Sequence, residues 1–152
     1  MQTVPEVLLD PEKSYEIVNG QPEEKETPGA RHGGIGGRLS RRLGMFVETQ
    51  GLGEIYVETS FQIGENERIP DLAFVTIKRL PPEGEPETKW LMPPDLAVEI
   101  VSPENRTITI YRSATNIIAF PEDSELVSED LFPGFRCHLS EIFKNPALIE
   151  KK

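Results

Sequence analysis

Two carboxylates stand where carboxylates are costly. Glu99 lies inside Leu96-Ala-Val-Glu-Ile-Val101, a run that is otherwise apolar and reads as a strand covered on both faces. Asp71 follows Pro70 at the start of a second β-prone run, Ile69 to Thr76. A carboxylate in such surroundings loses roughly several kcal/mol of hydration unless it is paired or binds a metal. Strand alternation puts Glu99 on one face with Asp95, Ala97 and Val101, and Asp71 on one face with Ala73 and Val75. If the two strands are neighbours, both acids converge on one divalent ion. The competing reading pairs Glu99 with Arg38 or Arg112 as a structural ion pair, and spacing alone leaves both open.

The elements that must position these acids can be traced along the chain. Tyr15 to Val18 is apolar and β-prone, and Asn19-Gly20 is the residue pair that a type I′ turn selects, so 14–26 reads as a hairpin with a polar second arm, Gln21 to Glu26. Thr27-Pro28-Gly29 breaks the chain. Residues 31–50 read as a helix, since Ile35, Leu39, Leu43, Phe46 and Val47 recur at helical spacing. Its five glycines each lower intrinsic helicity by up to ~1 kcal/mol, so packing must hold it. Alternation over 54–63 predicts one strand, with Ile55, Val57, Thr59, Phe61 and Ile63 on one face. Gly64 to Arg68 reads as a turn, and residues 79–94, with five prolines, as a loop. Thr107 to Arg112 and Asn116 to Phe120 read as two further strands, Phe132 to Phe135 as a turn, and Ser140 as the cap of a last helix, 141–148.

Composition narrows the function classes. The chain of 152 residues reads as one domain, 1–152. Its net charge of −10 argues against coating nucleic acid by charge alone, because nonspecific binding neutralises phosphates with cations. An enzyme meeting DNA over a small basic patch remains compatible. No apolar run approaches a membrane span, and Met1 to Glu6 lacks the pattern of a signal peptide, so a soluble, cytoplasmic protein with no membrane partner is expected. Cys137 is alone, which removes internal disulfides and cysteine-based zinc sites; it reads as inert packing. His32-Gly-Gly-Ile-Gly-Gly37 lacks the ending of a phosphate loop. Arg31, Arg38, Arg41 and Arg42 fall on one sector of the helix, either to meet phosphates or as a solvated face. Trp90 reads as a latch from the proline-rich loop onto the core.

The ordered set Tyr15-Glu-Ile-Val-Asn-Gly20, Arg31-His32, Gly51-Leu-Gly53, Pro70-Asp-Leu-Ala-Phe-Val75, Pro94-Asp-Leu-Ala-Val-Glu-Ile-Val-Ser-Pro103, Phe132-Pro-Gly-Phe135 and Leu139-Ser-Glu-Ile-Phe143 resembles the Uma-type family of restriction-endonuclease-like proteins, abundant in cyanobacteria. That family belongs to the PD-(D/E)XK nuclease superfamily. The resemblance spans about residues 14–143, and its most specific part is Pro70-Asp71 with Val98-Glu99 and Ser102-Pro103. It implies an α/β (α+β) fold, a restriction-endonuclease-like mixed sheet flanked by helices. It also implies a Mg²⁺- or Mn²⁺-dependent endonuclease acting on DNA, with Asp71 and Glu99 on the metal and Glu16 and His32 completing the catalytic set. Arg38, Arg41 and Arg42 are then expected to position phosphate. Such acids suit the chemistry, because a hard oxygen-bound ion polarises the scissile phosphate and activates water.

The sequence departs from the family after Ser102-Pro103. There the family continues through a helix carrying a lysine, which stands in for the superfamily lysine expected where Val101 sits, and then through a strand. Here Pro103-Glu-Asn-Arg106 runs directly into Thr107-Ile-Thr-Ile-Tyr111. One helix and one strand of the fold are expected to be absent. Five residues cannot make a parallel crossover, so strand 107–112 should pair antiparallel with 96–101. The uncovered face would favour a homodimer. Lys78 or Lys89 are the candidates to replace the missing lysine, and activity should be weak. The alternative is a catalytically inactive remnant, or a small binding or interaction module.

Overall fold

The computed structural model describes residues 9–101 and 104–148. Strands β1 (Ser14–Val18) and β2 (Gln21–Lys25) form the expected hairpin, with Asn19 and Gly20 at φ 52° and 76° in its turn. Helix α1 (Ala30–Gln50) follows and ends at Gly51 in the left-handed conformation. Its stripe Ile35, Leu39, Leu43 and Val47 is fully buried. Burying four such side chains at roughly 1.5–3 kcal/mol each outweighs five glycines at up to ~1 kcal/mol each, so a glycine-rich segment remains helical.

Next come β3 (Gly53–Val57), β4 (Phe61–Ile63), β5 (Asn66–Arg68), β6 (Leu72–Thr76) and β7 (Leu96–Ile100). They are followed by β8 (Thr107–Tyr111), β9 (Ile117–Pro121), β10 (Glu125–Leu126), β11 (Cys137–His138) and α2 (Leu139–Phe143). Five strands make one sheet in the order β3-β6-β7-β8-β9, and four make a second, β2-β1-β5-β4. The expected α+β class is observed. The ladders between these strands are antiparallel; between β7 and β8 the link is too short for a parallel crossover, and Val101 N–H donates to Thr107 O at 3.0 Å. Strand 107–111 therefore lies beside β7 as expected, and Ser102-Pro103, part of the resemblance, falls outside the described residues.

Alternation along β6 and β7 fills both sides of the main sheet. Leu72, Phe74, Leu96, Val98 and Ile100 pack with α1 and the C-terminal Phe132, Phe135, Leu139 and Ile142. Ala73 and Val75 pack on the opposite face with Phe61 and Trp90. Trp90 is the expected latch, its ring stacked on Phe61 at 6.2 Å and set edge-on to Tyr56 at 5.3 Å.

Three expectations change. The strand expected over 54–63 is two strands in different sheets, because Glu58 adopts φ 47° and turns the chain between them. The expected turn at 64–68 contains β5, which pairs with both β4 and β1. The last helix begins at Leu139 rather than 141; its N-cap is His138, without a side-chain cap bond, and residues 146–148 form a separate 3-10 turn at Pro146.

Gly53 is the tightest backbone position. At φ 154°, a Cβ there would stand 2.1 Å from Val75 O. Gly53→Ala should lower stability by about 2–3 kcal/mol. Gly44→Ala, in open space on α1, should raise it by up to ~1 kcal/mol. Urea unfolding midpoints of the two variants test the pair, and equal midpoints would refute the packing argument.

Candidate active site

The β6–β7 ladder runs Phe74↔Leu96, Ala73↔Ala97, Leu72↔Val98. One further step sets Asp71 opposite Glu99, on the face shared by Ala73 and Ala97. Side chains opposed in this way stand about 4.5–5.5 Å apart at Cβ. The two acids flagged by the sequence are thus brought together, and the charge of Asp71 bears on the Glu99 carboxyl.

Asp71 is the one charged residue fully buried among the described residues, 6% exposed. Each carboxylate oxygen has its own partners. Oδ2 accepts the Ile100 N–H at 2.7 Å and lies 3.3 Å from His32 Nε2. Oδ1 lies 3.6 Å from the Lys25 ammonium. The Asp71 carbonyl accepts the Glu58 N–H at 3.3 Å. Glu16, on β1, accepts the Ile69 N–H at 3.2 Å and lies 3.8 Å from Arg68 Nη1.

The electrostatics follow from this crowding. Burial pushes the Glu99 carboxyl up to about 8; the charge of Asp71 and the charge of Glu16 add to it, while Lys25 offsets part. Glu58 is likewise raised, first by burial and then by Asp71, against the pull of Lys25 and His32. The cluster holds more negative charge than its own cations balance, the condition a divalent ion relieves. Two cavities flank it. One of about 560 Å³ is lined by Glu16, Arg68, Ala97, Glu99 and Tyr111. The other, of about 580 Å³, is lined by Lys25, Arg31, His32, Asp71 and Glu104.

All four acid and histidine candidates, Glu16, His32, Asp71 and Glu99, therefore meet at one end of the main sheet. The arginines do not join them as a group. Arg38 Nε donates to Ile142 O at 2.7 Å, and Arg42 pairs with Glu141, so both dock α2 onto α1. Arg41 is exposed. Glu99 pairs with neither Arg38 nor Arg112; the latter grips Asp130 through two nitrogens, at 3.0 and 2.7 Å. Lys78 sits exposed on a 3-10 turn, and Lys89 pairs with Glu67, so neither reaches the acid pair. The sequence reading missed Lys25 and Glu58. Only their charge beside strand boundaries could have signalled them.

A sheet with paired carboxylates at one end, backed by a single long helix, defines a restriction-endonuclease-like α+β protein. The Uma2 family, described as "Putative restriction endonuclease", matches residues 2–109, and the chain belongs to it. Its fold is similar to that of a solved structure from Anabaena variabilis, titled a putative nuclease belonging to DUF820. The TM-score is 0.75, with 18% identity over 90% of this chain and 93% of that one. No curated protein matches.

The residues fit a hard cation. The donors are carboxylate oxygens, and Asp71 Oδ1 already lies beside a cation, the Lys25 ammonium. Among the described residues no three ligating side chains converge as a metal cage. Mg²⁺ does not require one, because it keeps several waters and is held by one or two carboxylates.

The raised Glu99 sets a pH dependence. Between its ordinary value of 4.5 and about 8, the native protein holds a proton that the unfolded chain has lost. Stability should therefore fall as pH rises through this window. In EDTA, the Tm of the wild type should fall from pH 5 to 8 more steeply than that of Glu99→Gln. Equal slopes by calorimetry would contradict the assignment.

Proposed function

We propose that this protein hydrolyses phosphodiester bonds in DNA with Mg²⁺ or Mn²⁺ held by Asp71 and Glu99. The observation that carries this reading is the cross-strand carboxylate pair, Asp71 buried and Glu99 half-buried, which keeps a proton on Glu99 up to about pH 8 when no other cation neutralises it. A bound ion would polarise the phosphate, acidify a water and stabilise the departing oxygen. The protein's own residues fix the geometry. Ile100 N–H and His32 orient Asp71 through Oδ2, and Glu16, tied to Ile69 N–H, borders the cavity that Glu99 opens into. Arg31, beside His32, and Arg41 are exposed and suited to phosphate contacts, while Arg38 and Arg42 act through the docking of α2.

The reaction joins a water oxygen to phosphorus and releases the leaving oxygen with a proton. In the family pattern a lysine on the helix after the Ser-Pro segment orients that water. The direct link from β7 to β8 leaves no such helix, so cleavage is expected to be slow, by about 10²–10³ for one lost preorganised donor. The same link favours the rival reading, a catalytically inactive remnant or small binding module that retains the acid pair. It also leaves Tyr111, Ile117 and Ile118 exposed near the β9 edge, the surface on which a homodimer would form.

Calorimetric titration with Mn²⁺ tests the metal. Wild type should bind, and Asp71→Asn and Glu99→Gln should bind at least tenfold more weakly. At 100 times Kd the bound ion adds about 2.7 kcal/mol, or roughly 5–10 °C in Tm for a chain of this size. Equal weak heats for all three, with an unchanged Tm, would refute it. Slow plasmid nicking lost in Glu99→Gln would support the enzyme. Metal binding with no nicking would leave the inactive rival.

A further inference from the structure

Lys25 ends β2 and turns inward. Its side chain is 15% exposed, whereas Glu24 and Glu26 on either side face water. The ammonium donates to the Ile69 carbonyl and lies 3.6 Å from Asp71 Oδ1 and 3.7 Å from Glu58 Oε2. Two carboxylate oxygens and one backbone carbonyl around a cation are the donor types that hard divalent ions select. The asymmetry of Asp71 sharpens the point. Oδ2 is committed to the Ile100 N–H and His32, so Oδ1 is the oxygen left for a cation, and Lys25 faces it.

Glu58 is held in this cluster against its backbone preference. It is a non-glycine residue at φ 47°, in the strand break, with its N–H bound to the Asp71 carbonyl. Such a conformation costs about 1–3 kcal/mol and persists only where surrounding contacts enforce it. The strained turn between β3 and β4 and the inward lysine of β2 put opposite charges beside the same aspartate.

We propose that Lys25 is a positioning residue of the metal site: its ammonium occupies the cation seat between Asp71 and Glu58, and it gives up Asp71 Oδ1 when a divalent ion is bound. Glu58 is then a third carboxylate within reach of the site, and the released ammonium supplies, from the hairpin, the positive charge that the missing helix does not. This inference rests on the metal-dependent reading above.

Mn²⁺ titration of the full chain tests it on wild type, Lys25→Met, Lys25→Arg and Glu58→Gln, with folding checked by circular dichroism. Lys25→Met should bind Mn²⁺ about tenfold more tightly, because a unit charge about 4 Å from a dication opposes it even in water. Lys25→Arg should return to wild-type affinity, and Glu58→Gln should bind several-fold more weakly. A purely structural lysine would leave affinity unchanged or weakened in a folded Lys25→Met, and either result overturns the proposal. Should Lys25→Met fail to fold, the wild type decides. Reductive methylation of Lys25, followed by mass spectrometry, should accelerate at saturating Mn²⁺, and an unchanged rate overturns the proposal. If neither wild type nor Lys25→Met binds Mn²⁺, the metal-dependent reading itself fails, an outcome separate from the loss of the Lys25 effect alone.

Discussion

The buried carboxylate of Asp71 is the constraint around which the molecule is arranged. A charge out of water costs roughly several kcal/mol unless its oxygens are matched. Here the matching groups arrive from different parts of the chain: Ile100 N–H from β7, His32 from α1 and Lys25 from β2. The aspartate thereby fixes where the N-terminus of α1 meets the sheet and where the first hairpin docks. Removing any one partner would leave the charge underpaired. The hairpin, the helix and the main sheet are therefore joined at their polar corner as well as through their apolar faces.

That same matching leaves Glu99 only part of the charge of Lys25. Once the Ile100 N–H, His32 and Lys25 serve Asp71, the neighbouring glutamate faces a like charge and partial burial, and it keeps a proton to about pH 8. A fold selected only for stability would do better with an apolar side chain at 99, since apolar replacements of buried ionic groups are often neutral or stabilising. An unneutralised acid beside a neutralised one makes sense where a further cation completes the set. This distinguishes the pair from the surface ion pairs elsewhere on the chain, such as Lys13 with Glu24, in which each charge meets its opposite in solvent.

The acid pair was legible in the sequence because a carboxylate in an apolar run announces its cost without any knowledge of register. The stripe of α1 and the Asn19-Gly20 turn were legible for the same reason, as local patterns tied to one geometry. What escaped depended on distant partners. Arg38 and Arg42 share a helix sector, but α2, about a hundred residues later, docks beside it, so Arg38 Nε meets Ile142 O and the exposed Arg42 pairs with Glu141. Lys25 looked like one more polar residue of an outer strand, and only the second sheet packing across the end of the first turns it inward. Glu58 was hidden by perfect alternation over 54–63, since no propensity rule places a glutamate at positive φ.

The pairing of cations also bears on how a chain of net charge −10 would approach DNA. Many of its cations are spent internally: Lys13, Lys25, Arg42, Arg68, Arg79, Lys89, Arg106, Arg112 and Arg136 all lie against its own carboxylates. Few charges remain to exchange with phosphate counterions, so sequence-independent affinity must be weak. The cavity at Glu99 is lined by two arginines, and each is already paired with an acid, Arg68 with Glu16 and Arg112 with Asp130. A phosphate entering it finds no unpaired arginine there. On the metal-dependent reading, a divalent ion on Asp71 and Glu99 reverses the sign of that corner. Substrate attraction and the chemical step then depend on the same ion, and the metal-free protein is repelled from the backbone it would otherwise bind idly.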